Sequence, residues 1–391
     1  MLKKCTSSPD YTLKTVERAC DVLASFREGE VLRLRDVATR ASLDESTALR
    51  LLRTLAGRNL IERIPPHHYR SRFRLDSAKP RTIGYAAQST EFAFSRDVTE
   101  SIKLAAEARG IRLIAVDNRY SKTAALRNTS SLIERRVDLV MEFQTDEHVA
   151  PIISSKYQDA GIPVIAIEIP HPGAVYFGAD NYRAGTMGGR YLGRWAQTNW
   201  NGEIDEVLLL ELPKAGPIPA SRFTGVLDGI SDVLLNAVRY RLTRLDGNGQ
   251  FGKSQEAVRK YLRQNKSKRV LVAAINDPSA LGAIRAFEEA GRATACAVLG
   301  QNASAEARAE MRRPGTRLVG SVAYFPERYG ERLMQLAADI LDGKNVPPAV
   351  FVDHVVITPR DVDRYYPNDR LITVQEIDSL MLQSQPWPTS R

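Results

Sequence analysis

The stretch LDGNGQFGKSQ (residues 245–255) can be read in two ways, and the choice between them decides the fold. Gly247, Gly252, Lys253 and Ser254 stand at the spacing G-x-x-x-x-G-K-S, while Gly247, Gly249 and Gly252 stand at G-x-G-x-x-G. Both spacings are phosphate-cradling signatures. The stretch follows a strand-like run (238–246) and precedes a helical one (254–264), as a phosphate loop requires. Three features argue the other way. The motif lies deep inside a run of strand–helix units rather than opening a domain. The strand before it, VRYRLTRLD, is charged, whereas a phosphate-loop strand is buried and apolar. No convincing carboxylate stands ready to hold a metal beside a phosphate.

The surrounding sequence is αβ in rhythm. Apolar strand-like runs recur at 81–87, 112–117, 138–143, 163–168, 174–179, 206–211, 238–246, 269–275, 295–300 and 318–325, with amphipathic helical stretches such as 98–110 and 277–291 between most of them. Apolar strands alternating with helices predict parallel sheets covered on both faces. Ten strands over some three hundred residues fit two doubly wound lobes better than one sheet. Ligands in such folds bind at the carboxyl ends of the strands. Those ends carry Ser89, Phe92 and Phe94; Glu168 and His171; Arg222; Asn276 and Asp277; Gln301 and Asn302; Tyr324 and Phe325. Any one of them is as readily a loop residue or a helix cap. Their recurrence at nearly every strand end predicts a cleft in which rings stack on sugar C–H faces and polar groups meet hydroxyls.

Charge sets the first fifth of the chain apart. Of 391 residues with a net charge of +9, residues 1–80 hold sixteen Lys and Arg against ten Asp and Glu, a net of +6. A basic module on a near-neutral body suggests a polyanionic partner. Three periodic segments follow one another there. Residues 12–26 place Val16, Ala19, Cys20, Leu23 and Phe26 at helical spacing, and residues 32–41 give a short second helix with Val37 and Ala38. Residues 42–64 open with Ser42 and Glu45 at capping-box spacing and carry Ala48, Leu51, Leu52 and Leu55 on one face. The other face carries Ser46, Thr47, Arg50, Arg53 and Thr54. Gly57 and Asn59 end the helix. Residues 61–75 then read as a two-stranded wing, with Arg70, Arg72 and Arg74 on one face of its second strand. This is a helix-turn-helix with an arginine-bearing outer face for base edges and an arginine comb for phosphates. An ordinary amphipathic helix and hairpin would explain the apolar stripe, but not arginines on both outer faces.

These residues carry two family resemblances. The stretch LRLRDVATRASLDESTALRLLRTLAGRNLIERI with YRSRFRL resembles the winged helix of IclR-type regulators. The resemblance implies Ser46, Thr47, Arg50 and Arg53 at the recognition face and the wing arginines at the DNA backbone. Residues 81–360 resemble the periplasmic sugar-binding proteins in the form used by LacI-type repressors, through IGYAAQSTEFAFSRDV, GIPVIAIEIP, YFGADNYRAG, ASRFTGVLDGI, AAINDPSALGAIRAF, VLGQNAS and VAYFPERYGERL. It implies effector contacts from Phe94, Glu168, Arg222, Asn276, Asn302 and Tyr324. Phe92 and Phe143 stand where such sugar binders often have polar or amide side chains. Phe251 takes the place of an aromatic that stacks on the ligand, leaving Lys253 as an early helix residue. The front departs from LacI-type repressors, which have a smaller helix-turn-helix and a hinge helix where this chain has DSAKPR (76–81).

The expected molecule is thus an α/β protein with a winged helix-turn-helix over residues 1–76 and a two-lobed, periplasmic-binding-protein-like effector domain over 77–391. It is expected to bind double-stranded operator DNA as a homodimer under control of a small carbohydrate-like effector. A nucleotide-responsive regulator using the 245–255 loop, and a sugar-binding module whose winged helix serves protein contacts, remain the alternatives. No enzyme activity, cofactor or metal is expected, since the five histidines show no H-x-x-x-H or H-E-x-x-H spacing and no G-x-S-x-G elbow occurs. Three scattered cysteines fit a reducing cytoplasm, and the apolar runs are too short to span a membrane.

Overall fold

The computed structural model describes residues 13–26, 30–72, 81–234 and 239–369. Its contacts divide the chain into two compact units, Met1–Lys79 and Pro80–Arg391.

Among its described residues the first unit has three helices, α1 (Lys14–Ala24), α2 (Leu34–Arg40) and α3 (Glu45–Gly57), and three short strands, β1 (Val31–Arg33), β2 (Ile61–Ile64) and β3 (His68–Ser71). The strands form an antiparallel sheet in the order β1-β3-β2. Its core gathers Val22, Leu23, Val37, Leu52, Leu55, Ile61 and Tyr69. Three expectations are corrected. Residues 31–33 pair with β3, so the second helix begins at Leu34 and not at Leu32. On α1, Val16 and Cys20 are exposed and Val22 is buried in their stead. The α3 cap is Asp44, whose carboxylate accepts the Thr47 N–H at 2.8 Å. Ser42 has a left-handed φ of 52° and takes no part in a capping box.

The second unit contains two six-stranded sheets. The first lobe is built on β4 (Thr82–Ala87), β5 (Arg112–Asp117), β6 (Leu139–Glu142), β7 (Val164–Ile167) and β8 (Val175–Gly178). The second is built on β9 (Glu206–Glu211), β10 (Arg241–Asp246), β11 (Val270–Ala274), β12 (Cys296–Asn302) and β13 (Leu318–Ala323). All ten strands expected from the sequence are present. Two short ones were not anticipated: β14 (Ala349–Phe351) joins the edge of the first sheet beside β8, and β15 (Val355–Ile357) the edge of the second beside β13. The sheet orders are β14-β8-β7-β6-β4-β5 and β10-β9-β11-β12-β13-β15, parallel throughout except for β15. The charged strand β10 is an edge strand with largely exposed residues, which explains its composition.

Among the described residues the chain passes between the lobes three times: after β8, after β13 and between β14 and β15. His354, in the third crossing, holds the other two. Its Nε2 accepts the Asp180 N–H at 3.0 Å, and its ring lies 5.0 Å from that of Tyr324. The Val352 N–H donates to the Gly178 carbonyl at 3.0 Å. Burial lowers the His354 pKa to about 4, in keeping with an acceptor Nε2 on a neutral ring.

Candidate effector cleft and DNA-facing helix

A cavity of about 380 Å³ opens between the two lobes at the carboxyl ends of their strands. All eight residues picked out by sequence line it: Phe92, Phe94, Glu168, Arg222, Phe251, Asn276, Asn302 and Tyr324. Phe143 lines it too, 6.2 Å from the Phe94 ring. The strand-end residues Ser89, His171, Asp277, Gln301 and Phe325 do not. Four of them brace the wall. Ser89 Oγ accepts the Glu91 N–H, and His171 Nδ1 sits 2.9 Å from the Ile169 carbonyl. The buried Asp277 carboxylate accepts the Ser321 hydroxyl and the Ser304 N–H, and burial pushes its pKa up to about 7. Gln301 accepts the Tyr324 hydroxyl at 2.6 Å.

Arg222 is placed by close helix packing. It lies on helix Pro217–Leu234, which packs against helix Asn181–Trp200 through glycines. A Cβ on Gly185 would come within 2.0 Å of the Arg222 carbonyl oxygen, so nothing larger fits there. The guanidinium donates to the Asn181 side-chain oxygen at 2.6 Å and to the Ile275 carbonyl, and lies 5.3 Å over the Tyr324 ring. Its buried Nε–H has no partner among the described residues, and neither has Asn302 Oδ1. Buried polar atoms are rarely left so. Asn302 itself has a φ of 99°, a conformation that turns the chain at the cavity wall.

Glu168 directly follows β7 and has a φ of 61°. Its carboxylate accepts the Tyr329 hydroxyl at 2.6 Å and, weakly, the Ala179 N–H at 3.4 Å. Burial still raises its pKa above the ordinary carboxylate range. Asn276 is already engaged: its Oδ1 caps helix Asp277–Glu289 and its Nδ2 donates to the Gly249 carbonyl at 2.9 Å.

That last contact docks the 245–255 loop on the wall. Gly249 adopts a φ of 64°, and a Cβ on Gly247 would lie 2.1 Å from Ser254 Oγ. The Ser254 hydroxyl donates back to the Gly247 carbonyl. The Asn248 N–H, which a phosphate would need, is held by the Asp246 carboxylate at 2.7 Å. Lys253 is exposed and is not part of the cavity wall, whereas Phe251 is. The loop's glycines thus set a turn and a close contact, and its own carboxylate occupies the amide of a would-be anion cradle.

The wall also includes residues that the sequence patterns do not single out, Gln88, Tyr120, Thr145, Leu212, Pro219 and Leu281 among them. Gln88 and Leu212 follow strand ends directly, and Tyr120 and Thr145 come three residues after theirs, so the strand-end rule applied to every strand finds these four. Tyr120 also donates its hydroxyl to the Asn248 carbonyl across the cleft, and Lys214 lies 3.6 Å over its ring.

In the first unit, Ser46, Thr47, Arg50 and Arg53 lie along α3. Ser46 donates to Asp44 at 2.6 Å. Arg50 and Arg53 are exposed and form no ion pair among the described residues. The wing differs from expectation. Glu62 stands opposite Arg70 in the β2–β3 register and pairs with it at 3.1 Å, with Arg72 at 3.6 Å. Arg74 lies outside the described residues.

The chain thus has two parts, a helix-turn-helix unit followed in sequence by a two-lobed unit with a cavity between its lobes. Residues 83–345 match the periplasmic binding protein domain family, and the chain belongs to that family. Residues 15–65 match the IclR helix-turn-helix domain. Among characterised proteins, the galactofuranose-binding protein YtfQ of Escherichia coli is 26% identical over 232 residues, 55% of this chain and 68% of that one. The ribose import binding protein RbsB of Bacillus subtilis is 25% identical over 275 residues, 70% and 85% of the two chains. A Mycobacterium smegmatis protein in complex with β-D-fucofuranose shares the fold, with a TM-score of 0.64 at 22% identity over 75% of this chain and 97% of its own. No helix among the described residues is long and apolar enough to cross a membrane, and no group of three or more His, Cys, Asp or Glu there could hold a metal ion.

Proposed function

We propose that this protein is a transcriptional regulator whose winged helix-turn-helix, residues 1–76, binds operator DNA as a homodimer. Its two-lobed domain, residues 77–391, closes on a carbohydrate-like effector. One observation carries the reading: eight aromatic, amide and charged residues from both lobes meet in one cavity, in a chain that also carries a helix-turn-helix. Phe92, Phe94, Phe251 and Tyr324 offer ring faces. Glu168, Arg222 and Asn302 offer a carboxyl group, a free N–H donor and a free acceptor, while Asn276 holds the loop that carries Phe251. Hydroxyl-rich ligands need that mixture. The sugar-binding names of the bacterial relatives point the same way. On α3, Ser46, Thr47, Arg50 and Arg53 face base edges, and Arg70, Arg72 and Arg74 of the wing face phosphates. Such a regulator works in the cytoplasm, where the DNA is. Effector closure changes the spacing of the two helix-turn-helix modules of a dimer and so its fit to two half-sites.

The test pairs a thermal-shift screen of sugars and nucleotides with DNA binding by the full chain. A sugar that raises the melting temperature and shifts DNA affinity is the expected result. Stabilisation by nucleotides alone, or no DNA binding at low salt, would overturn the assignment.

A further inference from the structure

The cavity has a continuation. Phe251, Leu281 and Glu306 line it and also line a second depression of about 430 Å³ on the second lobe. This groove runs between helix Asp277–Glu289 and helix Ala305–Met311, over Ile284 and Ala309. Leu281 is half-buried, Phe251 is 42% exposed at the junction, and Ala309 is exposed within the groove. The charges on its rim are paired, two within the groove and one across to the first lobe. Arg285 pairs with Glu288 at 3.3 Å, Arg313 with Glu310 at 3.2 Å, and Glu306 faces Arg96 at 3.7 Å. A charged group entering the groove would find each rim charge already matched. An uncharged apolar group would find Phe251, Leu281 and Ile284.

We infer that the effector is longer than a single sugar ring: a carbohydrate carrying an uncharged apolar substituent, such as an aryl glycoside. The ring occupies the cavity and the substituent passes between Phe251 and Leu281 into the groove. The inference rests on the reading of the cavity as a carbohydrate site and adds to it the chemistry of the ligand's far end. Apolar pocket contacts of this size discriminate by about tenfold or more.

The test titrates the full chain calorimetrically with D-galactose, D-ribose and D-glucose and with the p-nitrophenyl glycoside of each. In whichever pair binds, the glycoside is expected to bind about tenfold or more tightly than the free sugar. Ala309→Arg, an exposed change confined to the groove, is expected to erase that advantage and leave the free sugar's affinity unchanged, while Ala309→Ser retains it. Equal affinities within the binding pair, or an advantage that survives Ala309→Arg, would overturn the groove assignment while leaving the carbohydrate site standing. Failure of every sugar and glycoside to bind would overturn the carbohydrate reading, and the groove assignment with it.

Discussion

The Tyr120 hydroxyl donates to the backbone carbonyl of Asn248 at 3.0 Å and so ties the first lobe to the loop at residues 245–255 of the second. Its ring also meets Phe92 edge-on at 4.9 Å. Tyr120→Phe keeps both ring contacts and removes only the cross-lobe hydrogen bond. A neutral hydrogen bond contributes about 0.5–1.5 kcal/mol, so effector affinity should fall by a few-fold, with little change in the stability of either lobe. Calorimetry reads this directly, and an unchanged Kd would show that closure does not use the bond.

The same loop separates the two readings of its sequence. Phe251 lines the cavity and Lys253 is exposed outside it. Phe251→Ala should weaken effector binding by about tenfold through loss of a stacked, apolar ring. Lys253→Ala should be silent. Nucleotide binding lost in the lysine variant alone would restore the phosphate-loop reading.

Arg222→Ala has two consequences. Effector binding should be lost, and the fold should weaken, because Asn181 Oδ1 and the Ile275 carbonyl each lose a donor. Orphaning buried acceptors costs about 1–3 kcal/mol. Chemical denaturation beside calorimetry separates the two effects. An Arg222→Ala protein as stable as the parent would show that the guanidinium serves the ligand only.

On the DNA side, Arg50→Ala should relax sequence preference. Arg72→Ala should lower the salt slope of binding by about one unit or less, because Glu62 already shares the wing's positive charge. Glu62→Gln should tighten binding on all sequences and steepen that slope. Titrations at several salt concentrations check the three together, and a flat response to Glu62→Gln would place the wing away from the phosphates.

Stability should depend on pH through a buried carboxyl that does not itself line the cavity. Glu142 is fully buried, with Asn118 Nδ2 at 2.9 Å and the Tyr157 hydroxyl at 3.3 Å, and burial pushes its pKa up to about 8. A carboxyl raised in the folded state is held protonated there, so its contribution is full at low pH and is lost as pH rises from the ordinary carboxylate range through about 8. Glu142→Gln should remove that loss. The variant should match the parent in acid and melt above it in alkali, as a pH series of thermal unfolding would show.

Much of this was legible in the sequence because it is periodic or local. The apolar runs gave ten strands, and residues just past their ends gave much of the cavity wall. What escaped depends on register or distance. Strands β14 and β15 have three residues each and acquire meaning only from the sheet edges they join. Asp44 and Ser42 lie two residues apart, and only the backbone turn at Ser42 decides which caps α3. That Glu62 opposes Arg70 follows from hairpin register. Asn276 reads from sequence as a ligand contact, yet its amide is engaged by Gly249 and Ser279, atoms 27 and 3 residues away.

His354 joins the three crossings between the lobes at one place. Three chain segments laced side by side resist shear and twist but still permit bending about the line they share. The two lobes are thereby left one main freedom, the angle at which they open, and a molecule held by both of them would act on that angle rather than on a set of separate movements.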